Sequence, residues 1–164
     1  MLHLFCYGSL MPDERNYLLV ERFVQEATPS SLSGRLYLRS SGYPSLWLPE
    51  ALIRRIGSSD YEADLAAHND HVALQAPSDL DGVPVPGVVL KLRQGARVLA
   101  LLDRFEGFYP GESDGRASDY RRVLVACQSG PVWTYACTEA QGRHDRHSWT
   151  PIRRWPVPVP EDRA

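Results

Sequence analysis

The apolar residues of this chain fall in short runs that Gly, Pro, Ser or Asp soon interrupt, which limits it to several short strands and few helices. The first run, Leu2–Cys6, stops at Tyr7-Gly8-Ser9-Leu10 and reads as a buried strand that breaks into a loop. Residues 32–38 alternate as a strand does and lead into Ser41-Gly42-Tyr43-Pro44, which is turn chemistry. Residues 45–48, 87–92, 120–126 and 132–137 read as further strands, the last two joined by a turn at Ser129-Gly130. The strongest helical periodicity lies in residues 95–105. There Val98, Leu101, Leu102 and Phe105 share a face, and Gly107 follows as the residue past the helix end. Met11-Pro12-Asp13 reads as a second helix entry, with Asp13 capping and Leu18, Leu19, Arg22 and Phe23 at helical spacing. Residues 61–68 are more weakly helical. Strands that do not strictly alternate with helices predict an α+β fold: a mixed, curved or barrel-like β-sheet with a few packed helices.

The 164 residues suit one domain, and a chain of this size buries about two-thirds of its unfolded surface without staples. Residues 1–150 are taken as that domain and 151–164 as a Pro-rich tail. The run Arg153-Arg154-Trp155-Pro156-Val157-Pro158-Val159-Pro160 lacks the donors for a ladder or a helix. Residues 49–86 read as an irregular excursion of the domain, and 109–118 as a polar, Gly-rich loop. Net charge is −2 with no Lys/Arg tract, so neither nucleic acid nor an anionic membrane is expected as a partner. No apolar run approaches the ~18 residues of a membrane helix, and the N-terminus lacks the basic region of a leader. Cys6, Cys127 and Cys137 are odd in number and lie in apolar runs, so buried, reduced thiols are expected. These features predict a cytoplasmic protein, with monomer and homodimer both open.

Two pieces carry chemistry. The loop 7–10 turns successive backbone N–H groups outward, and Gly8 permits close approach, so Gly8, Ser9 and Leu10 form a candidate anion nest. A helix opening at Pro12-Asp13 would add its positive end. The bland alternative is a tight strand-to-helix turn with nothing bound. The second piece is Glu106, an acid at a helix C-terminus, where the dipole prefers cations. Phe105 and Phe108 flank it and can desolvate it, raising its pKa toward that of a general base. The bland alternative is a solvated Glu beside a capping Gly.

In combination these pieces resemble the γ-glutamyl cyclotransferase superfamily, including its AIG2-like and γ-glutamylamine branches. The family's Tyr-Gly-Ser-Leu is matched by residues 7–10. Its Leu-Asp-x-x-Glu-Gly is matched by Leu102-Asp103-Arg104-Phe105-Glu106-Gly107, and its Tyr-x-Arg by Tyr120-Arg121-Arg122. Gly34-Arg35-Leu36-Tyr37 and Tyr43-Pro44 also fit, so the resemblance covers most of residues 2–137. Departures are Gly87-Val88, where the family often has Gly-Glu, and longer segments at 49–86 and 109–119.

The resemblance implies internal acyl transfer. The α-amine of a γ-glutamyl group attacks its own γ-carbonyl, releasing 5-oxoproline and an amino acid or amine. The small-molecule substrate carries its own nucleophile, so neither a metal nor an organic cofactor is implied. Glu106 is the implied catalytic acid/base, and Tyr7, Gly8, Ser9, Leu10 and Tyr120 the substrate-binding set. Tyr120 can equally be packing. Of Arg121 and Arg122, strand alternation lets only one face the site. Two other readings use the same fold: a catalytically silent binding or regulatory protein, or removal of a γ-glutamyl cap from a specialised metabolite. A wide mouth shaped by residues 49–86 would favour the last. His68-Asn69-Asp70-His71 and His144-Asp145-Arg146-His147 have chelating spacing, but each run is polar with no clear third ligand and reads as solvated surface.

Overall fold

The first apolar run becomes β1 (Leu2–Cys6), a strand buried on both faces. Its side chains alternate between two cores. Leu2, Leu4 and Cys6 pack with Leu90, Leu92, Leu99, Leu102 and Trp133. Phe5, followed by Tyr7, packs with Leu32, Leu46, Val85, Val123 and Val132 on the other side. This computed structural model describes residues 1–70, 83–111, 120–137 and 149–156. The remaining elements are β2 (Val24–Leu38), β3 (Pro44–Trp47), β4 (Arg55–Ile56), α1 (Tyr61–Asp70), β5 (Val83–Leu92), α2 (Gly95–Glu106), β6 (Arg121–Cys127), β7 (Gly130–Ala136) and β8 (Thr150–Ile152).

The strands form one sheet in the order β3-β2-β5-β1-β7-β6-β4, with β8 also pairing β2. Its ladders are antiparallel except that of β1 with β7, which sets Leu4 opposite Trp133. The fold is therefore α+β with a mixed sheet. Its strand order is open, with β3 and β4 at the two ends, although a single bridge between Trp47 and Cys137, with the Cys137 N–H donating to the Leu46 carbonyl at 2.8 Å, brings β3 against the end of β7.

β2 is longer than its apolar alternation implies. Val24–Gly34 pair with β5, and the last four residues pair with β3. Its first half is mostly exposed, so hydrogen bonding to β5 defines it and hydrophobic period does not. β5 likewise begins at Val83, ahead of the predicted start. Its ladder with β1 begins at Val88, so Pro84 and Pro86 sit where one edge is unpaired and a missing donor is tolerated.

Four expectations need correction. No α-helix opens at Pro12-Asp13: Asp13 has φ +68, and the chain passes through two short 3₁₀ turns, Tyr17–Leu19 and Glu21–Phe23. Leu18 is 75% exposed while Val20 and Phe23 are buried, so no continuous stripe exists to hold a helix down. Phe105 is 43% exposed, because the buried stripe of α2 runs through Val98, Leu99 and Leu102 to Asp103. His68 is buried, not solvated. Its Nε2 donates to the Pro131 carbonyl at 2.9 Å and lies 3.2 Å from His3 Nδ1, because the end of α1 packs on the sheet. Residues 151 and 152, assigned to the tail, belong to β8 and pair with Tyr37 and Leu36; Pro151 is tolerated there because β8 is an edge strand. His71, His144 and His147 lie outside the described residues. The three cysteines are buried thiols, none of them in a disulfide.

Candidate active site

The end of α2 divides several tasks among adjacent residues. Leu102 is wholly buried in the core. Asp103 is buried, accepts a hydrogen bond from the Tyr135 hydroxyl at 2.6 Å, and lies 3.1 Å from Arg122 Nε. Glu106, one turn further on, lines a cavity of about 710 Å³. Gly107 then takes φ +66, which an L side chain resists. That turn lets the Phe108 N–H return to the Asp103 carbonyl at 2.8 Å.

Arg122 anchors this helix end from below. Its guanidinium is fully buried between the Tyr61, Phe108 and Trp133 rings. Nη2 donates to Asp64 Oδ2 at 3.0 Å and to the Ser58 carbonyl at 2.7 Å. The contact of Nε with Asp103 is a close ion pair, though too poorly aligned to count as a hydrogen bond. Asp64 also accepts from the Ser58 N–H and hydroxyl and from Arg55. The stretch from Gly57 to Asp64 thus packs around Arg122. No described residue of 49–86 lines the cavity, so among the described residues its mouth is shaped by other segments. Arg121 pairs with Glu50 on the surface. Neither arginine faces the site, because strand alternation sends one to the α1–α2 side and the other to solvent.

Tyr7, Gly8, Ser9, Leu10, Tyr120 and Glu106 all line the same cavity. Glu106 is the one carboxylate among its described wall residues. Burial pushes its pKa up to about 7. After burial itself, the Glu106 charge also helps to raise the pKa of Cys6, Tyr7, Tyr120 and Tyr135. The acid therefore sits among those four side chains.

The loop is held by its carbonyls and its serine. Met11 N–H donates to the Gly8 carbonyl at 3.0 Å, and Asn16 N–H to that of Ser9 at 2.9 Å. Asn16 Nδ2 donates to Ser9 Oγ at 2.9 Å. The N–H groups of Gly8, Ser9 and Leu10 make no hydrogen bond among the described residues, so they are available to an anion. They act without a helix dipole, since no helix follows. Gly8 is required for a reason the sequence did not suggest. A Cβ there would lie 2.7 Å from Pro44 Cγ, so the pyrrolidine ring of the turn fills its space.

Both tyrosine hydroxyls have committed their protons. Tyr7 donates to the Tyr135 carbonyl at 2.8 Å. Tyr120 donates to the Pro44 carbonyl at 3.3 Å and lies 3.0 Å from Ser45 Oγ. Their oxygens also accept, that of Tyr7 from the Leu46 backbone and that of Tyr120 from Arg39, so both hydroxyls are held within the wall. Sequence reasoning missed Arg15, Asn16, Arg39, Tyr43, Arg104 and Tyr135, which complete the wall. Tyr135 carried a signal, being two residues from the core residue Trp133 on one strand face; the arginines carried none.

No family model matches the chain, and no curated protein matches it. Among solved structures it is similar to the SeMet-substituted allophanate hydrolase of Kluyveromyces lactis, at 15% identity and a TM-score of 0.49. That likeness covers 94% of this chain and 20% of the hydrolase, so the chain spans about a fifth of that protein's length.

Proposed function

We propose that this chain is a γ-glutamyl cyclotransferase that releases 5-oxoproline, with Glu106 as its acid/base. The observation that carries the reading is a carboxyl of raised pKa, the one carboxylate of the described wall, in the same cavity as residues 8–10, whose N–H groups make no hydrogen bond among the described residues. The substrate's α-amine forms a bond to its own γ-carbonyl carbon, and the bond from that carbon to the leaving nitrogen breaks. Glu106 relays two protons in turn, one from the α-ammonium before attack and one from the attacking nitrogen as the tetrahedral intermediate collapses, and the leaving nitrogen takes both and departs as an ammonium, so the step consumes no water. A pKa of about 7 suits both transfers, because the ionised and protonated forms are both populated near neutrality. The N–H groups of Gly8, Ser9 and Leu10 suit the α-carboxylate or the oxygen of the tetrahedral intermediate.

No covalent nucleophile is needed. Cys6 also lines the cavity, but burial first and the Glu106 charge second push its thiol up, which keeps it protonated. The test is release of 5-oxoproline from γ-glutamyl amino acids, γ-glutamylamines and glutathione, with Glu106→Gln alongside. The expected result is release that Glu106→Gln cuts by about 100-fold or more while the fold is kept. Near-wild-type release by that variant refutes the assignment.

A further inference from the structure

Residues 11–16 carry Arg15 and Asn16 to the cavity wall, and they lie outside every strand and helix. Their backbone hydrogen bonds stay local: the Glu14 N–H donates to the Met11 carbonyl at 3.1 Å, and the Glu14 carbonyl accepts from the Tyr17 N–H at 3.1 Å. Met11 is the residue among them that packs against the main core. Asp13 holds φ +68, a conformation that costs an L residue free energy. The 7–10 loop depends on this stretch, because Asn16 donates to both the carbonyl and the hydroxyl of Ser9. A segment built on local bonds and few buried contacts opens at little cost unless something distant holds it.

Two tryptophans of the C-terminal segment support this wall from behind. Trp149 lies under Arg39, with 5.3 Å between its ring centroid and the guanidinium carbon, which is also 5.8 Å from the Tyr120 centroid. β8 follows and pairs with the end of β2. Beyond β8, Trp155 packs half-buried against the cluster that contains Phe5, Tyr7 and Leu36, and its Nε1 donates to Glu14 Oε2 at 3.3 Å. Among the described residues no other side-chain hydrogen bond or ion pair ties residues 11–16 to a distant part of the sequence. We propose that residues 149–155 form a strap joining two walls of the cavity, and that Trp155 is a positioning residue acting through Glu14 and Asn16 on the 7–10 loop. The acceptor is a carboxylate, which strengthens the bond. Because β8 is laddered to β2, the indole is fixed to the sheet, and the N–H groups of the loop are held in place before an anion arrives. The hold on the loop stands on this geometry; its effect on a bound γ-glutamyl ligand rests on the cyclotransferase reading above.

Trp155→Phe keeps a ring and removes the donor. Amide hydrogen exchange, read residue by residue, should then speed up by about tenfold at Met11, Glu14, Asn16 and Tyr17, while β1, β5 and β7 keep their rates. Glu14→Ala should do the same, and adding Trp155→Phe to it should change nothing further, since both remove one bond. Glu14→Gln keeps an acceptor and should retain most of the protection. The Kd for 5-oxoproline, measured by calorimetry, should rise by about threefold in Trp155→Phe, because the ligand must then close the opened fraction of the loop. Unchanged exchange at those amides overturns the strap. So does a rise shared by β1, β5 and β7, which marks a general loss of stability. Faster exchange with an unchanged Kd overturns the positioning role. If the wild-type chain binds no 5-oxoproline, it is the cyclotransferase reading that falls, and the exchange rates alone decide the strap.

Discussion

Glu106 binds a proton more tightly in the folded chain than in the unfolded one, because burial raises its pKa from 4.5 to about 7. Its contribution to stability is therefore fully present below about pH 4.5 and is lost as pH rises through 7. Glu106→Gln removes the ionisation. It should stabilise the fold at pH 8 by up to about 3 kcal/mol and have little effect at pH 4, as read from thermal denaturation across that range. The same pKa sets activity in the opposite direction. The carboxylate must be ionised to accept the ammonium proton, so kcat/KM should fall below an apparent pKa of about 7. A flat profile from pH 5 to 8 would remove Glu106 as the base. Gly8 poses a different constraint. It has no positive φ, so space rather than conformation demands glycine there. Gly8→Ala should cost about 1–3 kcal/mol by overpacking against Pro44, and Pro44→Ala in the same chain should recover most of that in urea unfolding.

At the scale of elements, α2 is held on the sheet by burial along one face and by one ion-pair cluster at its end. Arg122 reaches from β6 to Asp103 on α2 and Asp64 on α1, so it ties three elements together. Arg122→Met leaves two buried carboxylates short of a cation and should cost about 3–5 kcal/mol at pH 7. The loss should be smaller near pH 5. Burial already raises the Asp103 pKa, and without Arg122 it is the protonated form that the fold tolerates. A loss independent of pH would place the effect in packing, not charge. The aromatic cage of Arg122 also explains why a motif arginine next to a candidate binding tyrosine is absent from the cavity: Tyr120 faces the site, and two residues on, the chain has entered the sheet and turned its side chain toward α1 and α2.

At the scale of the whole molecule, β2 passes from the main ladder into a small sheet with β3 and β8, and that end of it carries Arg39 to the cavity wall. Trp149, 7% exposed, lies tilted against Tyr37 at 6.0 Å between ring centroids and under Arg39, just ahead of β8. Trp149→Ala should destabilise the fold by roughly 3 kcal/mol and raise KM, because it loosens the docking of β8 and the platform of Arg39 together; urea unfolding and steady-state kinetics on one preparation check both. Sequence by itself determined the elements whose signal is local. Apolar runs marked β1, β6 and β7, a 3.6-residue stripe marked α2, and Gly107 marked its end. It also marked the loop and the acid, because a broken strand and a misplaced carboxyl are visible without partners. Tertiary structure alone decided what depends on distant partners. The exposed half of β2 forms because β5 runs beside it, Gly8 is needed because Pro44 fills its space, and His68 is buried because α1 docks on the sheet. The arginines of the cavity come from three separate segments with no shared periodicity, so only folding brings their charges to one place.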